Sequence, residues 1–381
     1  MRKLGWVLSI TLAFGITAGA MAQQTVPIVG LMELSGTGAT AGTNFDNGVK
    51  LAVKEINAAG GILGRKIEYT SMDTQSAPQT AKALAQKAVD QGAYVVMGPV
   101  FSGSFIVSMA ETKRAEIPNF TGGEAANITQ QGNPYVFRTS FTQSTAMPKL
   151  ARYIKDTVKA KSIAMIWVNN DFGKGGRDSM TKALEAQGIK VAADISTDPG
   201  QVDFSAAVLK IKQSNADAVF VYTNEEESAR ALRELKKQGY DKPIIGETTL
   251  TGQKVIELAG DAANGAVAHV GLTVDAPQPG IKAFDEKFQR EYKYKSDHNG
   301  MKGYTGMYVV KAITEKIGKF DPKAFAKALH GATIRVKDTP GVLLDVHFDN
   351  NGDLDRESFL VKVVGGKQVV TATLPPVQPI Q

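Results

Sequence analysis

Cysteine is absent from this 381-residue sequence, and histidine occurs only four times. Without a thiol the chain forms no disulfide, and it offers neither a cysteine nucleophile nor a cysteine for lipid attachment. The histidines are far apart and belong to no HExxH or HxH pattern, and no G-x-S-x-G motif is present. We therefore predict no metal site, no cofactor and no enzymatic activity.

Blocks of like charge are also missing. Lysine and arginine number 44 against 38 acidic residues, which gives a formal net charge of +6, but the basic side chains are scattered among acids. A scattered excess of this kind affects solubility and does not indicate a nucleic-acid surface. With 43% hydrophobic and 22% charged residues, the composition is typical of a globular protein.

The one long apolar segment lies at the start of the sequence, where Leu4 to Ala18 follows Arg2 and Lys3. The small residues of Ala20-Met21-Ala22 come next. A basic start, a short apolar run and small residues before a cleavage point are typical of a secretory signal peptide. We expect residues 1–22 to be removed on export and the mature protein to reside in the periplasm.

From Val26 onward, short β-branched runs alternate with amphipathic helical runs, of which Phe45 to Ala59 is the first helix. This alternation predicts a mostly parallel sheet covered by helices on both faces. A second series of similar size begins after Arg138-Thr139. We therefore predict an α/β fold with two doubly wound, Rossmann-like lobes.

Candidate ligand-binding residues in the first lobe follow the ends of predicted strands. Ser102 begins a predicted helix, where a hydroxyl and unpaired backbone N–H groups favour an anion. Gly122 and Gly123 end the next strand and allow a ligand to approach the backbone closely. These residues predict a carboxylate site, although Ser102 alone is also compatible with simple capping of its own helix.

The strand ends of the second lobe carry polar residues as well. They are Asn169 to Gly173, Thr223 to Glu227 and Gly246 to Thr249. Asn224 and Glu227 have the spacing of a helix cap, and acids in a first turn favour the helix dipole. The open alternative is that an acid such as Glu225 also binds a ligand cation.

Two further motifs have alternative interpretations. The glycines of 36–42 suggest a dinucleotide-binding turn, but the last glycine is one position late and the segment Leu34 to Asn44 is long, so we predict a flexible loop at the mouth of a cleft. Asp349, Asn351, Asp353 and Asp355 suggest a calcium loop, but the glycine position and the last ligand do not fit, so we predict a hairpin turn.

Short characteristic motifs cover essentially the whole mature chain. They are Val29 to Gly36, Asn47 to Ala52, Ile56 to Arg65, Gly98 to Ser102, Arg138-Thr139, Asp171-Phe172-Gly173, Asp203-Phe204-Ser205 and Ala216 to Val219. In these motifs the sequence resembles the type I periplasmic solute-binding family, which includes the leucine/isoleucine/valine-binding proteins of ABC transporters. The resemblance implies three crossings between the lobes, with lobe 1 formed by 23–139 and 274–342 and lobe 2 by 140–273 and 343–381.

The resemblance also implies which residues contact the ligand. Family members bind the ligand carboxylate with groups that match Ser102, Gly123 and Ala125. The family's amino-acid binders have a tyrosine where Ala41 stands and an acid where Thr248 stands, so an α-amino-acid ligand requires another acid. The candidates for that acid are Glu225, Glu226 and Glu247. The full set of expected ligand residues is Ala41, Ser102, Gly123, Ala125, Phe172, Asn224, Glu225 and Thr248.

The function implied by the resemblance is binding without catalysis. We expect a monomer that closes its two lobes on a branched-chain amino acid or a related apolar carboxylate and docks on the membrane permease of an ABC transporter. A binding protein for 2-oxo or aromatic acids and a periplasmic sensor subunit remain alternatives. A nucleotide-dependent enzyme is disfavoured because the signal peptide lacks a twin-arginine pair.

Overall fold

The computed structural model describes residues 25–377. Its first sheet is parallel, with the strand order β2-β1-β3-β4-β5. The strands are β1 (Val26–Met32), β2 (Ile67–Asp73), β3 (Val95–Met97), β4 (Asn119–Thr121) and β5 (Val136–Arg138). Strands β1, β3, β4 and β5 are almost entirely buried, as expected where helices cover both faces of a parallel sheet.

Ten more strands follow in chain order. They are β6 (Ser162–Val168), β7 (Lys190–Thr197), β8 (Ala218–Tyr222), β9 (Ile244–Glu247), β10 (Val267–Val270), β11 (Thr333–Ile334), β12 (Val346–Phe348), β13 (Leu354–Asp355), β14 (Ser358–Val364) and β15 (Lys367–Leu374). The second sheet has the order β15-β14-β10-β9-β8-β6-β7, and β11-β12-β13 form a small antiparallel sheet. Strands β6 to β10 are parallel, and β14 and β15 add an antiparallel hairpin. The predicted two-lobed α/β fold is confirmed.

Eleven helices connect and cover the strands of the described chain. They are α1 (Ala39–Ala58), α2 (Pro78–Asp90), α3 (Ser102–Arg114), α4 (Gln143–Tyr153), α5 (Asp171–Ala186), α6 (Ser205–Ser214), α7 (Glu225–Lys237), α8 (Gln253–Ala259), α9 (Pro279–Tyr292), α10 (His298–Ile317) and α11 (Pro322–Leu329). Helix α10 returns to the first lobe and packs against α1. The contact requires Gly303, because a Cβ atom there would collide with the carbonyl of Phe45.

The predicted flexible loop from Leu34 to Asn44 is wrong, because α1 begins at Ala39 directly after a 3-10 turn. The carboxylate of Asp73 holds the preceding segment: its Oδ1 accepts the N–H groups of Leu34 at 3.0 Å and Ser35 at 3.2 Å. With the segment fixed in this way, the helix starts early and Ala41 lies in its first turn.

A small antiparallel sheet spans the third expected crossing between the lobes. Strands β12 and β13 fall in the segment expected for lobe 2, but they pair with β11, and Val346 and Phe348 pack in one apolar cluster with Phe137 of β5. The chain enters the second sheet only with β14. Between β12 and β13, Asp349 accepts the N–H groups of Asn351 and Asp353, so these acids form a hairpin turn, as predicted.

Three helices, α4, α8 and α11, are not predicted by the sequence patterns, and α8 spans only seven residues. Pro148 lies inside α4 and obscures its periodicity, and α11 spans only eight residues. Among residues 25–377 no helix is both long and apolar enough to cross a membrane. The expected signal peptide, residues 1–22, lies outside the described residues and stays a prediction.

Candidate functional site

A cavity of about 260 Å³ lies between the two lobes, at the carboxyl ends of parallel strands from both sheets. In open α/β sheets this edge is where ligands bind. Six of the expected ligand residues line the cavity, namely Ala41, Ser102, Gly123, Phe172, Asn224 and Glu225. Ala125 and Thr248 do not line it. The contacts of each residue explain why it does or does not line the cavity.

Ser102 is the first residue of α3 and is almost fully buried. Its Oγ accepts a hydrogen bond from the N–H of Ala125 at 3.2 Å, which leaves the hydroxyl proton available to a ligand oxygen. The N–H groups of Val100 and Phe101 are already used, because both donate to the buried carboxylate of Glu33. Burial raises the pKa of Glu33 to about 7. Ser102 therefore supplies a side-chain donor at this helix terminus, and Ser104 of the same turn also lines the cavity.

Ala125 was expected to contact the ligand, and this expectation is not supported, because Ala125 lies behind the cavity in a small apolar cluster with Phe105 and Val136. The backbone around it is held by Arg138, which is fully buried. The Arg138 guanidinium donates to the carbonyls of Gly123 and Ala125, both at 2.7 Å, and forms an ion pair with Asp353. Ala125 thus positions Ser102 rather than facing the cavity.

Lys302 of α10 and Glu124 also line the cavity, and the sequence patterns do not single out either residue. Lys302 Nζ contacts Glu124 Oε1 at 2.9 Å, and the hydroxyl of Tyr222 donates to Glu124 Oε2 at 3.1 Å. Since Tyr222 ends β8 in the second lobe, Glu124 connects the two lobes. Burial raises the pKa of Glu124 to about 7, and the nearby Glu247 adds to the rise while Lys302 opposes it.

The second lobe contributes two acids to the cavity, Asp171 at the start of α5 and Glu225 at the start of α7. Glu225 is the more deeply buried of the two. Its side chain is buried, and Asn299 Nδ2 donates to its Oε1 at the long distance of 3.5 Å. Burial raises the pKa of Glu225 to about 8, with further contributions from Asp297 and Glu226. At neutral pH, a nearby cation favours the ionised form of such a buried acid.

A profile of the family described as "Periplasmic binding protein" matches residues 25–368. The chain belongs to the periplasmic binding protein family. Among its curated relatives, the leucine-, isoleucine-, valine-, threonine-, and alanine-binding protein of Pseudomonas aeruginosa is 28% identical over 361 residues, covering 94% of this chain and 95% of the relative. The leucine-specific-binding protein of Salmonella typhimurium is 30% identical and covers 77% of this chain and 79% of its own.

Solved structures show the same fold at lower sequence identity. The branched-chain amino acid transporter substrate binding protein of Streptococcus pneumoniae, in complex with isoleucine, superposes with a TM-score of 0.82 at 24% identity, over 93% of this chain and 100% of that one. A solute binding protein of an ABC transporter from R. palustris, in complex with benzoate, superposes with a TM-score of 0.84 at 22% identity, over 93% of this chain and 98% of that one. These likenesses establish the two-lobed fold.

In the present chain Thr248 does not line the cavity, contrary to expectation, whereas the adjacent Thr249 does. The hydroxyl of Thr248 donates to Glu247 Oε1 at 2.7 Å. The same oxygen of Glu247 lies 3.0 Å from Nδ1 of the buried His269. The third candidate acid, Glu226, accepts from Thr40 at 2.8 Å. Of the three candidate acids, only Glu225 reaches the cavity.

Asn224 and Phe172 line the cavity with different roles in the second lobe. Asn224 stands at the N-cap of α7, but its side chain makes no capping hydrogen bond and its Nδ2 contacts Glu227 at 3.3 Å instead. Asn224 therefore occupies the predicted N-cap position, but its side chain does not make the predicted capping hydrogen bond. The ring of Phe172 stacks on Tyr222 with a centroid distance of 4.2 Å, which forms an aromatic wall.

Proposed function

We propose that this chain is the ligand-capturing component of an ABC importer and that it binds an apolar α-amino acid in the cavity between its lobes. The observation that carries the proposal is the pairing of Ser102 from one lobe with Glu225 from the other in one cavity. A hydroxyl at a helix N-terminus suits a carboxylate, and a buried acid without a strong partner suits an ammonium.

The remaining walls support an apolar ligand side chain. Apolar residues from both lobes line the same cavity, namely Ala41, Pro78, Val100, Phe101, Phe172 and Pro199. Small-molecule sites typically combine such walls with a few polar groups that fix orientation. The curated relatives named for binding leucine, isoleucine and valine support the same class of ligand.

The proposal extends to location and partner. We infer that the protein acts in the periplasm as a monomer after loss of residues 1–22 and transfers its ligand, chemically unchanged, to a membrane permease. The membership of a solute-binding family supports this role. Closure of the two lobes on the ligand would present one face formed by both lobes to that permease.

A thermal-shift screen across amino acids, 2-oxo acids and aromatic acids tests the proposed ligand class. Leucine, isoleucine or valine is expected to raise the melting temperature, because ligand at about 100 times its Kd stabilises the native state by roughly 2.7 kcal/mol. A rise with aromatic acids alone would instead support the alternative ligand class. No rise with any of the three classes would contradict the proposal.

Replacing Ser102 with alanine is expected to weaken the binding of every carboxylate ligand by about tenfold or more, since a hydrogen bond to a charged group contributes roughly 1.5–3 kcal/mol. Isothermal titration calorimetry measures the change. Ser108→Ala is the matched control, because Ser108 lies on the same helix, is buried and bonds only to the carbonyl of Phe105. Equal affinities in Ser102→Ala and wild type would show that the carboxylate binds elsewhere.

A further inference from the structure

Lys302 is a charged residue in the most buried part of its helix. Residues 296–307, which include the first turns of α10, are all buried, and the lysine side chain is 5% exposed. Buried lysines are rare and require partners that compensate for the loss of water. The surroundings of this ammonium therefore indicate its role.

Two acceptors for Lys302 Nζ are found within the described residues. They are Glu124 Oε1 at 2.9 Å and the carbonyl of Gly122 at 3.4 Å. An ammonium has three N–H donors, so one donor remains for a group in the cavity that Lys302 lines. The two acceptors thus leave one of the three N–H donors of Lys302 without a partner among the described residues.

The position of Lys302 relative to Ser102 suggests what this third donor binds. Lys302 contacts the loop of residues 122–124 through Gly122 and Glu124, and Ser102 contacts the next residue of the same loop through the N–H of Ala125. Both side chains line the cavity. A ligand carboxylate beside this loop would lie between a hydroxyl and an ammonium.

The charge balance supports the same assignment. Burial raises the pKa of Glu124 to about 7, so this carboxyl alone does not fully neutralise the ammonium at neutral pH. The other acids that interact with Lys302 are Glu247 and Asp297, and burial raises the pKa of both as well. The groups that surround Glu124 are Lys302, Tyr222 and Glu247. An anionic ligand would compensate the remaining positive charge.

We propose that Lys302 binds the ligand carboxylate directly, together with Ser102, and so determines the preference of this receptor for acids over their neutral amides. The inference rests on the proposed function and deepens it by assigning the charged partner of the ligand anion. Glu124 is then a positioning residue that holds the ammonium against the 122–124 loop.

The test compares acids with their amides. Calorimetry with leucine and leucinamide, and with benzoate and benzamide, gives the acid-to-amide affinity ratio for wild type, Lys302→Met and Lys302→Arg. In Lys302→Met we expect the ratio to fall by about tenfold or more, because the acid loses an ion pair whereas the amide loses only a hydrogen bond from the ammonium to a neutral carbonyl. Lys302→Arg keeps the charge and is expected to retain more of the ratio.

Two further variants separate binding from folding. Lys302→Met with Glu124→Gln removes the buried acid that the single change leaves without its ammonium, and the same fall in the ratio is expected. Lys311→Met is the matched control, since Lys311 lies on the same helix and pairs with Glu315. A role in packing alone would lower the acid and amide affinities by the same factor and leave the ratio unchanged.

The outcomes distinguish the two proposals. Wild-type protein that binds neither leucine nor benzoate would overturn the proposed function, and the assignment of Lys302 with it. Wild-type protein that binds an acid, combined with an unchanged ratio in both Met variants, would overturn the assignment of Lys302 alone.

Discussion

Replacing Arg138 with methionine is expected to lower the free energy of unfolding by about 3–5 kcal/mol, because the change removes a fully buried guanidinium from its ion pair and from two buried backbone carbonyls. Arg138 pairs with Asp353 and donates to the carbonyls of Gly123 and Ala125. Methionine fills similar space but leaves all three acceptors without their donor. Thermal and urea unfolding should show a fall in melting temperature on the order of 10 °C.

Arg335→Met is the matched control for Arg138→Met. Arg335 pairs with Asp345 at 3.0 Å, but its side chain is 31% exposed, and an exposed pair contributes only about 0–1 kcal/mol. The two variants therefore lose the same kind of side chain in different surroundings. Comparable losses of stability in both would show that burial of the Arg138 guanidinium adds nothing to its contribution.

The same variant should also affect ligand binding through the backbone. Arg138 holds the Gly123 and Ala125 carbonyls, and Ala125 in turn donates to Ser102. The sequence contains Arg138 only as part of a family motif, with no indication of this role. Its importance follows from the tertiary contact with Asp353, which lies 215 residues away along the chain.

The fold was largely predictable from the sequence because the spacing of apolar residues indicates which positions of a strand or helix are buried. The fully buried strands β6 and β8 are continuous apolar runs, and the helices that cover them have one apolar face. Periodicity carries no such signal for α4, which contains Pro148, or for the early start of α1, which depends on hydrogen bonds to Asp73. Contacts of this kind between distant segments are not encoded in a local pattern.

The candidate site was predictable where a strand end alone brings a residue to the cavity. Ser102, Gly123 and Glu225 all follow strands in this way, and all three line the cavity. Lys302 enters from a helix far along the chain, so no strand-end argument finds it. The only local signal is a lysine within a run of small and apolar residues, where a surface position is not expected.

The acids around the cavity give the receptor a means of distinguishing ligands by charge. The pKa values of Asp297, Glu124 and Glu225 are raised to about 6, 7 and 8, in each case chiefly by burial. Near neutral pH Glu225 is therefore mostly protonated when no ligand is bound. An ammonium beside it favours ionisation, whereas a ligand without an ammonium favours the protonated form.

Glu225→Gln is expected to weaken leucine binding by about 30-fold or more, because loss of one partner of a buried charge pair costs roughly 2–5 kcal/mol. The 2-oxo analogue of leucine keeps the carboxylate and lacks the ammonium, so its affinity should be unchanged or improved. Glu226→Gln removes the adjacent charge, which pairs with Thr40 outside the cavity, and should have the smaller effect. A similar loss for leucine and its 2-oxo analogue would contradict the assigned role.

The pH dependence of binding provides an independent measure of the same contact. Glu225 has a pKa of about 8 without ligand, and a bound ammonium lowers that pKa, so leucine must displace a proton below pH 8. Leucine affinity should therefore increase as the pH rises toward 8, and calorimetry in buffers of different ionisation heat should detect release of roughly one proton at pH 7. In Glu225→Gln the contribution of Glu225 should disappear, so the release should fall by roughly one proton. Proton release equal to that of wild type in this variant would place the ammonium beside a different acid.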